Sequence, residues 1–395
     1  MRACGVICEY NPFHRGHALH LARARALSGA DYVVCVMSGP VTQRGVFARH
    51  DKWTRAKAAL LHGADLVLEL PVRFACSPAP DFARGGVGLL SSLGVITHLS
   101  FGCEADALPL LTRACDALRR EPPAFVAALR RGLDAGLSFP RAQASAIEEA
   151  CGAPGMAEAI ARPNASLALE YLRALPPDIA PVPVEREGCA YHDGALGELA
   201  SATAVRAALE RGEMSGALAA VPCPGLLSEA EALGDVHAPQ ALDQALLYRL
   251  RQMTRAELSQ VPGMDEGLQN RFLAAAKEAA TREALIARVK TKRYTYTRLS
   301  RLCSLALLGV TRDWAAAHCA PGYARILGFR RDAAPLLRAI KERSGVPLIT
   351  KAADFPRSDA LFALDLRAQD LWSLGCASQA LRACGRDLTT SPVIV

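Results

Sequence analysis

Four short apolar runs in the first hundred residues, Cys4–Glu9, Tyr32–Met37, Asp65–Leu70 and Val95–Phe101, constrain the fold more than any other feature. Each is rich in Val, Ile or Leu and bounded by turn residues, the signature of strands buried on both faces of a parallel sheet. Between them lie segments of helical period near His17–Ser28, Ala48–His62 and Asp81–Leu93. Strand, helix and strand in regular succession require right-handed crossovers, so the chain is read as α/β with a doubly wound parallel sheet. Pro181–Arg186 adds a further strand after a helical insertion over about 106–175. Gly63, Gly94 and Gly102 fall at element ends, where caps and turns account for them.

Strand signals stop after about residue 225, and from Pro239 the pattern is mostly helical. A boundary near Pro222–Gly225 therefore divides a sheet domain, 1–224, from a mainly helical domain, 225–395. A chain of 395 residues accommodates two or three such units. No stretch, Leu302–Val310 included, is long enough to span a bilayer, and Glu9 interrupts the first apolar run. The expectation is a soluble, cytoplasmic protein. The thirteen cysteines are scattered with no C-x-x-C pair, so they read as reduced thiols and no metal site is expected.

The chemistry-bearing segment is Glu9-Tyr10-Asn11-Pro12-Phe13-His14-Arg15-Gly16-His17. A buried strand ends, a Pro-containing turn follows, and His-x-Gly-His opens a helix. A helix N-terminus offers free N–H groups to an anion, and Gly16 allows close backbone approach. His14 and His17 can donate to phosphate oxygens that gain charge under attack. A second segment, Gly197 to Arg206, places Ser201 as an N-cap, Thr203 beside it and Arg206 one turn on, a plausible clamp for further phosphates. Alone, that segment reads better as an ordinary cap with a surface arginine; paired with the His-x-Gly-His turn it reads as the clamp.

The net charge of +7 permits an anionic partner. From Ala284 through Arg312 no acidic residue occurs, whereas Arg288, Lys290, Lys292, Arg293, Arg298, Arg301 and Arg312 are basic, with Tyr294 and Tyr296 among them. Cations neutralise phosphates and aromatic faces stack unpaired bases, so the run is a candidate RNA surface; the alternative is a solvated helix face. If helical, Lys290, Arg293, Thr297 and Arg301 share one face. A weaker basic cluster runs from Arg325 to Arg343. Asp65, Glu69 and Asp81 are the carboxylates open to a Mg²⁺ reading, although Asp65 can equally begin a strand.

The His-x-Gly-His turn and the Ser201–Arg206 segment resemble the H-x-G-H nucleotidyltransferase superfamily. Further along, Val36–Gly39, Gln43-Arg44-Gly45, Asp51–Ala56, Gly63–Pro71, Ser100–Gly102, Arg162–Tyr171, Glu185-Arg186, Tyr191–Asp193 and Lys292–Arg298 resemble the bacterial tRNA(Met) cytidine acetate ligase family in the same order. Val46-Phe47 and Pro40-Val41 depart from that pattern. The resemblance implies a Rossmann-like nucleotidyltransferase sheet and a two-step ligase. Acetate attacks ATP to give acetyl-adenylate and pyrophosphate, then the wobble cytidine of elongator tRNA(Met) takes the acetyl group as N4-acetylcytidine.

By that resemblance ATP, carrying Mg²⁺, contacts Ile7, Cys8, Glu9, Tyr10, Asn11, Pro12, Phe13, His14, Arg15, Gly16, His17, Ala18, Leu19, His20, Gly102, Asn164 and Arg186. His14, His17, Ser201, Thr203 and Arg206 are the catalytic set. Lys290, Lys292, Arg293, Tyr294, Arg298 and Arg301 meet tRNA, and neither DNA nor a membrane is a partner. Asn164 reads equally as a helix cap, and His192 with Asp193 equally as loop residues or as an aid to proton removal. A small-molecule adenylyltransferase, or a tRNA-binding protein with a silent nucleotide site, are the competing readings.

Overall fold

A computed structural model describes residues 1–104, 107–137, 139–185 and 200–395. Eight strands form one sheet: β1 (Ala3–Cys8), β2 (Tyr32–Ser38), β3 (Leu66–Leu70), β4 (Ile96–Cys103), β5 (Ala180–Glu185), β6 (Ala324–Phe329), β7 (Leu348–Ile349) and β8 (Val393–Ile394). Their order is β5-β4-β1-β2-β3-β6-β7, with β8 also on β6. The first five are mutually parallel. The chain leaves β3 at one side and returns to place β4 beside β1. That reversal puts a crevice at the carboxyl ends of β1 and β4, the place where open α/β sheets bind ligands.

The alternation of side chains sorts the core. Val33, Cys35 and Met37 of β2 face one way, with Leu21, Ala59 and Leu60 of the helices Arg15–Ser28 and Lys52–Leu61. Val34 and Val36 face the other way, with Phe82, Leu89 and Leu90 of the helix Ala79–Ser92 and with the helical insertion, Ala107 to Ala174. A third apolar cluster, mostly from Leu246 to Ala315, belongs to the helical unit and reaches Val41 and Val72, just past the carboxyl ends of β2 and β3.

The expectation that strands end by residue 225 is corrected. β6 pairs antiparallel with β3, and β7 and β8 flank it in parallel. The chain beyond residue 323 thus completes the sheet begun by the first hundred residues. A polar residue in the middle of the run explains the oversight: Arg325 of β6 is 2% exposed, yet it breaks the apolar pattern.

Arg325 belongs to a buried ring of charge. Lys52 Nζ lies 2.8 Å from Glu69 and 2.7 Å from Asp387, and Arg325 lies 3.1 Å from Glu69 and 2.9 Å from Asp387. Two cations and two anions balance. Gly39 is required beside them, because a Cβ there would stand 2.1 Å from Glu69 Oε1. A neighbouring carboxyl, Asp365, accepts from the Val72 N–H at 2.8 Å and from Tyr323. Burial, and then the negative charge of Glu69, push Asp365 up to about 8.

That shift carries a sign. The folded protein holds a proton on Asp365 that an unfolded chain releases near pH 4, so this group's contribution to stability falls as pH rises from about 4 to about 8. Asp365→Asn removes the slope. Its melting temperature relative to the unaltered chain is expected to improve from pH 5 to pH 8.5, and a constant offset would refute the assignment.

Candidate active site

The crevice is built where β1 runs out. Tyr10 takes a left-handed turn (φ 49°), the Asn11–Pro12 bond is cis, and His14 caps the helix Arg15–Ser28. The rings of His14 and His17 stack with centroids 3.6 Å apart and planes 24° apart. The His14 N–H donates to His17 Nδ1 at 3.3 Å. With Nδ1 accepting, a neutral His17 carries its proton on Nε2. Tyr10 and Phe13 pack on His17 at 4.8 and 5.7 Å, which fixes its plane from behind.

The Ser201 segment meets this turn across nearly two hundred residues of sequence. Ser201 caps the helix Ala202–Glu210 and its side chain accepts from the Ala204 N–H at 3.2 Å. Arg206 donates to Thr203 Oγ1 at 3.2 Å and also to the Asn11 carbonyl. It is a half-buried residue, so the surface-arginine alternative does not describe it. Burial lowers its pKa while Glu9 opposes that shift. Glu9 is in turn raised by burial, against the Gln43 N–H that reaches Glu9 Oε1 at 2.6 Å and against Arg206.

These groups share one cleft of about 360 Å³. His14, Gly16, His17, Ser201, Thr203 and Arg206 line it, as do Ile7, Cys8, Glu9, Tyr10, Asn11, Leu19, His20, Gly102 and Asn164. Gly102 sits at the carboxyl end of β4, and His20 Nε2 reaches Ser100 at 3.1 Å. Asn164 is the second residue of the helix Pro163–Ala174, whose N-cap is Arg162, so the capping alternative for Asn164 falls away. Pro12, Phe13, Arg15 and Ala18 do not reach the wall. Phe13 is buried beneath the histidines, and Arg15 turns away to the Ala219 carbonyl at 3.1 Å. Arg186, His192 and Asp193 lie outside the described residues.

Sequence reasoning missed the fourth wall, Thr42 to Val46, and with it Arg44. The available signal was position: a guanidinium in a Gly-containing turn just past the carboxyl end of β2. The basic run, read as an RNA surface, holds this loop from behind. Arg301 donates to the Gln43 carbonyl at 3.1 Å, Ser300 Oγ to the Arg44 carbonyl at 2.7 Å, and Ser304 Oγ to the Gly45 carbonyl at 2.7 Å, which Arg282 also reaches.

The shared helical face is corrected. Lys290–Thr295 is a loop between the helices Arg282–Val289 and Tyr296–Leu308, because Thr295 caps the second helix by accepting from the Arg298 N–H. Within it Arg293 pairs with Glu266 at 2.9 Å, and Tyr294 is 6% exposed with its hydroxyl 3.2 Å from Glu266. Arg298 donates to the Gly263 carbonyl at 3.0 Å and lies over the Tyr294 ring. Arg288 and Arg312 find Glu278 and Asp265. Lys290 and Lys292 stand exposed. In the weaker cluster Arg325 is buried and Arg330 pairs with Asp332.

The carboxylates considered for Mg²⁺ are engaged elsewhere. Asp65 takes the Val33 N–H at 2.6 Å and Arg25, Glu69 belongs to the buried ring, and Asp81 pairs with Arg73 at 3.1 Å. Among the described residues no three His, Cys, Asp or Glu side chains gather to hold a metal. No helix among them is long and apolar enough to cross a membrane.

A parallel sheet with a His-x-Gly-His turn at its switch point defines a nucleotidyltransferase, and the HIGH Nucleotidyl Transferase family profile matches residues 1–386. Relatives narrow the class. The chain is 34% identical to the tRNA(Met) cytidine acetate ligase of Acetivibrio thermocellus over 100% of both chains. It is 36% identical to that of Caldanaerobacter subterraneus over 96% of this chain and 97% of the other. Thermotoga maritima TmcAL bound with alpha-thio ATP superposes with a TM-score of 0.92 at 29% identity, covering 100% of this chain and 99% of that one. The apo form of that protein gives 0.94 at 30% identity, with full coverage of both chains. The chain belongs to the tRNA(Met) cytidine acetate ligase family.

The braced loop carries its own test. Gly45 (φ 69°) and Gly212 (φ 78°) are both left-handed, but a Cβ on Gly45 would stand 2.4 Å from the Arg301 Cα, whereas nothing lies within 4 Å of one on Gly212. Gly212→Ala is expected to cost about 1 kcal/mol of left-handed strain alone. Gly45→Ala adds displaced backbone, so its melting temperature should fall clearly further; equal losses would show that the brace yields freely.

Proposed function

We propose that this protein ligates acetate to the wobble cytidine of elongator tRNA(Met) at the expense of ATP, through acetyl-adenylate, to form N4-acetylcytidine. The observation that carries this reading is the meeting of the His14–His17 turn with the Ser201–Arg206 helix across one cleft at the carboxyl ends of β1 and β4. Full-length likeness to ligases of that name supports the substrates, and the alpha-thio ATP bound to the Thermotoga protein supports the nucleotide.

In the first step an acetate oxygen attacks the α-phosphorus and pyrophosphate departs. His17 Nε2–H, His14 and the N–H groups that open the helix Arg15–Ser28 receive the charge that builds on the α-phosphate oxygens. Thr203 and Arg206, with Arg44 on the facing wall, balance the leaving pyrophosphate. Gly102 admits the nucleotide closely at the end of β4, and Asn164 offers both donor and acceptor to its base or ribose. In the second step the cytosine N4 attacks the acetyl carbon, the bond from that carbon to the phosphate oxygen breaks, AMP leaves, and the nitrogen sheds a proton. Among the described residues no carboxylate cluster is placed to hold Mg²⁺; an ion carried in with ATP would supply charge neutralisation on the triphosphate. The exposed Lys290 and Lys292 offer phosphate contacts to the tRNA.

Acetate-dependent ATP–pyrophosphate exchange tests the first step directly, and exchange that ignores acetate would turn the reading toward another acceptor. His14→Ala and His17→Ala are each expected to slow exchange by about 10²–10³ while leaving tRNA affinity nearly intact. Arg301→Ala releases the Gln43–Gly45 loop that carries Arg44, and is expected to slow exchange by about tenfold. If Arg301 instead acts on RNA, tRNA affinity falls and exchange stays unchanged.

A further inference from the structure

Behind the nucleotide cleft opens a second cavity of about 380 Å³. The two share four wall residues, Asn11, Arg44, Val46 and Arg206, so a group held in one abuts a group held in the other. The far wall comes from the helical unit, whose helices Asp243–Gln252, Arg282–Val289 and Tyr296–Leu308 all contribute. Its surface is mixed. Phe47, Leu246, Leu307 and the Tyr296 ring supply apolar area, while Gln240 and Thr297 supply hydrogen-bonding groups.

Acetate would leave such a space largely empty. A nucleoside, a flat base with its ribose, comes closer to its size and suits its mixed lining. The Tyr296 hydroxyl donates to Glu283 at 2.7 Å, which fixes the ring, and the ring is the first residue after the loop that carries exposed Lys290 and Lys292. A strand of RNA drawn to those lysines therefore arrives beside the cavity. The seam also satisfies the chemistry, because an amine that attacks an acyl group on the α-phosphate has to approach the adenylate from a neighbouring space.

We propose that this second cavity receives the acceptor pyrimidine of the RNA, turned out of its stack onto Tyr296, with its exocyclic amine at the Asn11–Arg44–Arg206 seam. The assignment rests on the ligase reading above and adds the place where the base is held. It gives the helical unit two tasks: bracing the nucleotide loop and forming the base pocket.

The test uses the full-length protein, ATP, radiolabelled acetate and an elongator tRNA(Met) transcript. In Tyr296→Ala, acetyl transfer to the transcript should fall by about tenfold or more, the scale of one lost base–aromatic stack. Acetate-dependent exchange should persist in that variant, and affinity for the transcript, which phosphate contacts dominate, should change little. Tyr296→Phe keeps the ring and should retain transfer. Unchanged transfer in Tyr296→Ala, or equal loss in both variants, would overturn the assignment. So would a raised acetate requirement in exchange, which would place the acyl substrate in this cavity. Failure of exchange in the unaltered protein would instead overturn the ligase reading itself, and the pocket's role with it.

Discussion

The guanidinium of Arg55 holds the catalytic end of the sheet together. It is 1% exposed and donates to four carbonyls: Glu9 at 2.7 Å, Ser38 at 2.9 Å, Gly39 at 2.5 Å and His50 at 3.1 Å. Glu9 and Ser38 lie where β1 and β2 run out, where the ladder no longer satisfies the backbone. An unpaired buried carbonyl is costly, so one rigid fork of donors replaces several bonds that the sheet cannot make. Burial lowers Arg55 to about 10, which leaves it charged at neutral pH. The His14–His17 turn and the loop bearing Arg44 both begin at carbonyls this one side chain grips.

The helical unit is joined to the cleft by comparable means. Ser300, Arg301, Ser304 and Arg282 all bond the backbone of Gln43, Arg44 or Gly45, and the Gly45 backbone lies directly against the Arg301 backbone. Arg301, which a charge count assigns to RNA, thus helps set the shape of the cleft wall. Such packing seats the helix Tyr296–Leu308 directly against the backbone that carries Arg44.

Much of this was legible in the sequence, and the remainder was not for definite physical reasons. The runs at Tyr32 and Asp65 read as strands because both faces are buried, and Ser201 read as a cap because its hydroxyl precedes a helical period. His-x-Gly-His after the first strand located the cleft, and Gly102 its far edge. β6 escaped because Arg325 is neutralised by Glu69 and Asp387, residues remote in sequence. The partners of the run from Ala284 to Arg312 were illegible for the same reason: Asp265, Glu266 and Glu278, which pair with Arg312, Arg293 and Arg288, come from other elements. Local pattern reports periodicity well, but it is silent on partners that only the fold brings near.

The antiparallel pairing of β6 with β3 has a consequence for how the chain is made. β3 is complete at Leu70, and the strand that covers its outer edge begins at Ala324, about 250 residues later. A ribosome adding roughly 5–20 residues per second leaves that edge without its native partner for tens of seconds. Leu66, Val67, Leu68 and Leu70 are apolar, and Glu69 lacks Arg325 until β6 arrives. An open, apolar strand edge is a template for pairing with other chains. The nascent protein therefore carries an exposed strand edge through this interval, well after its first four strands have emerged.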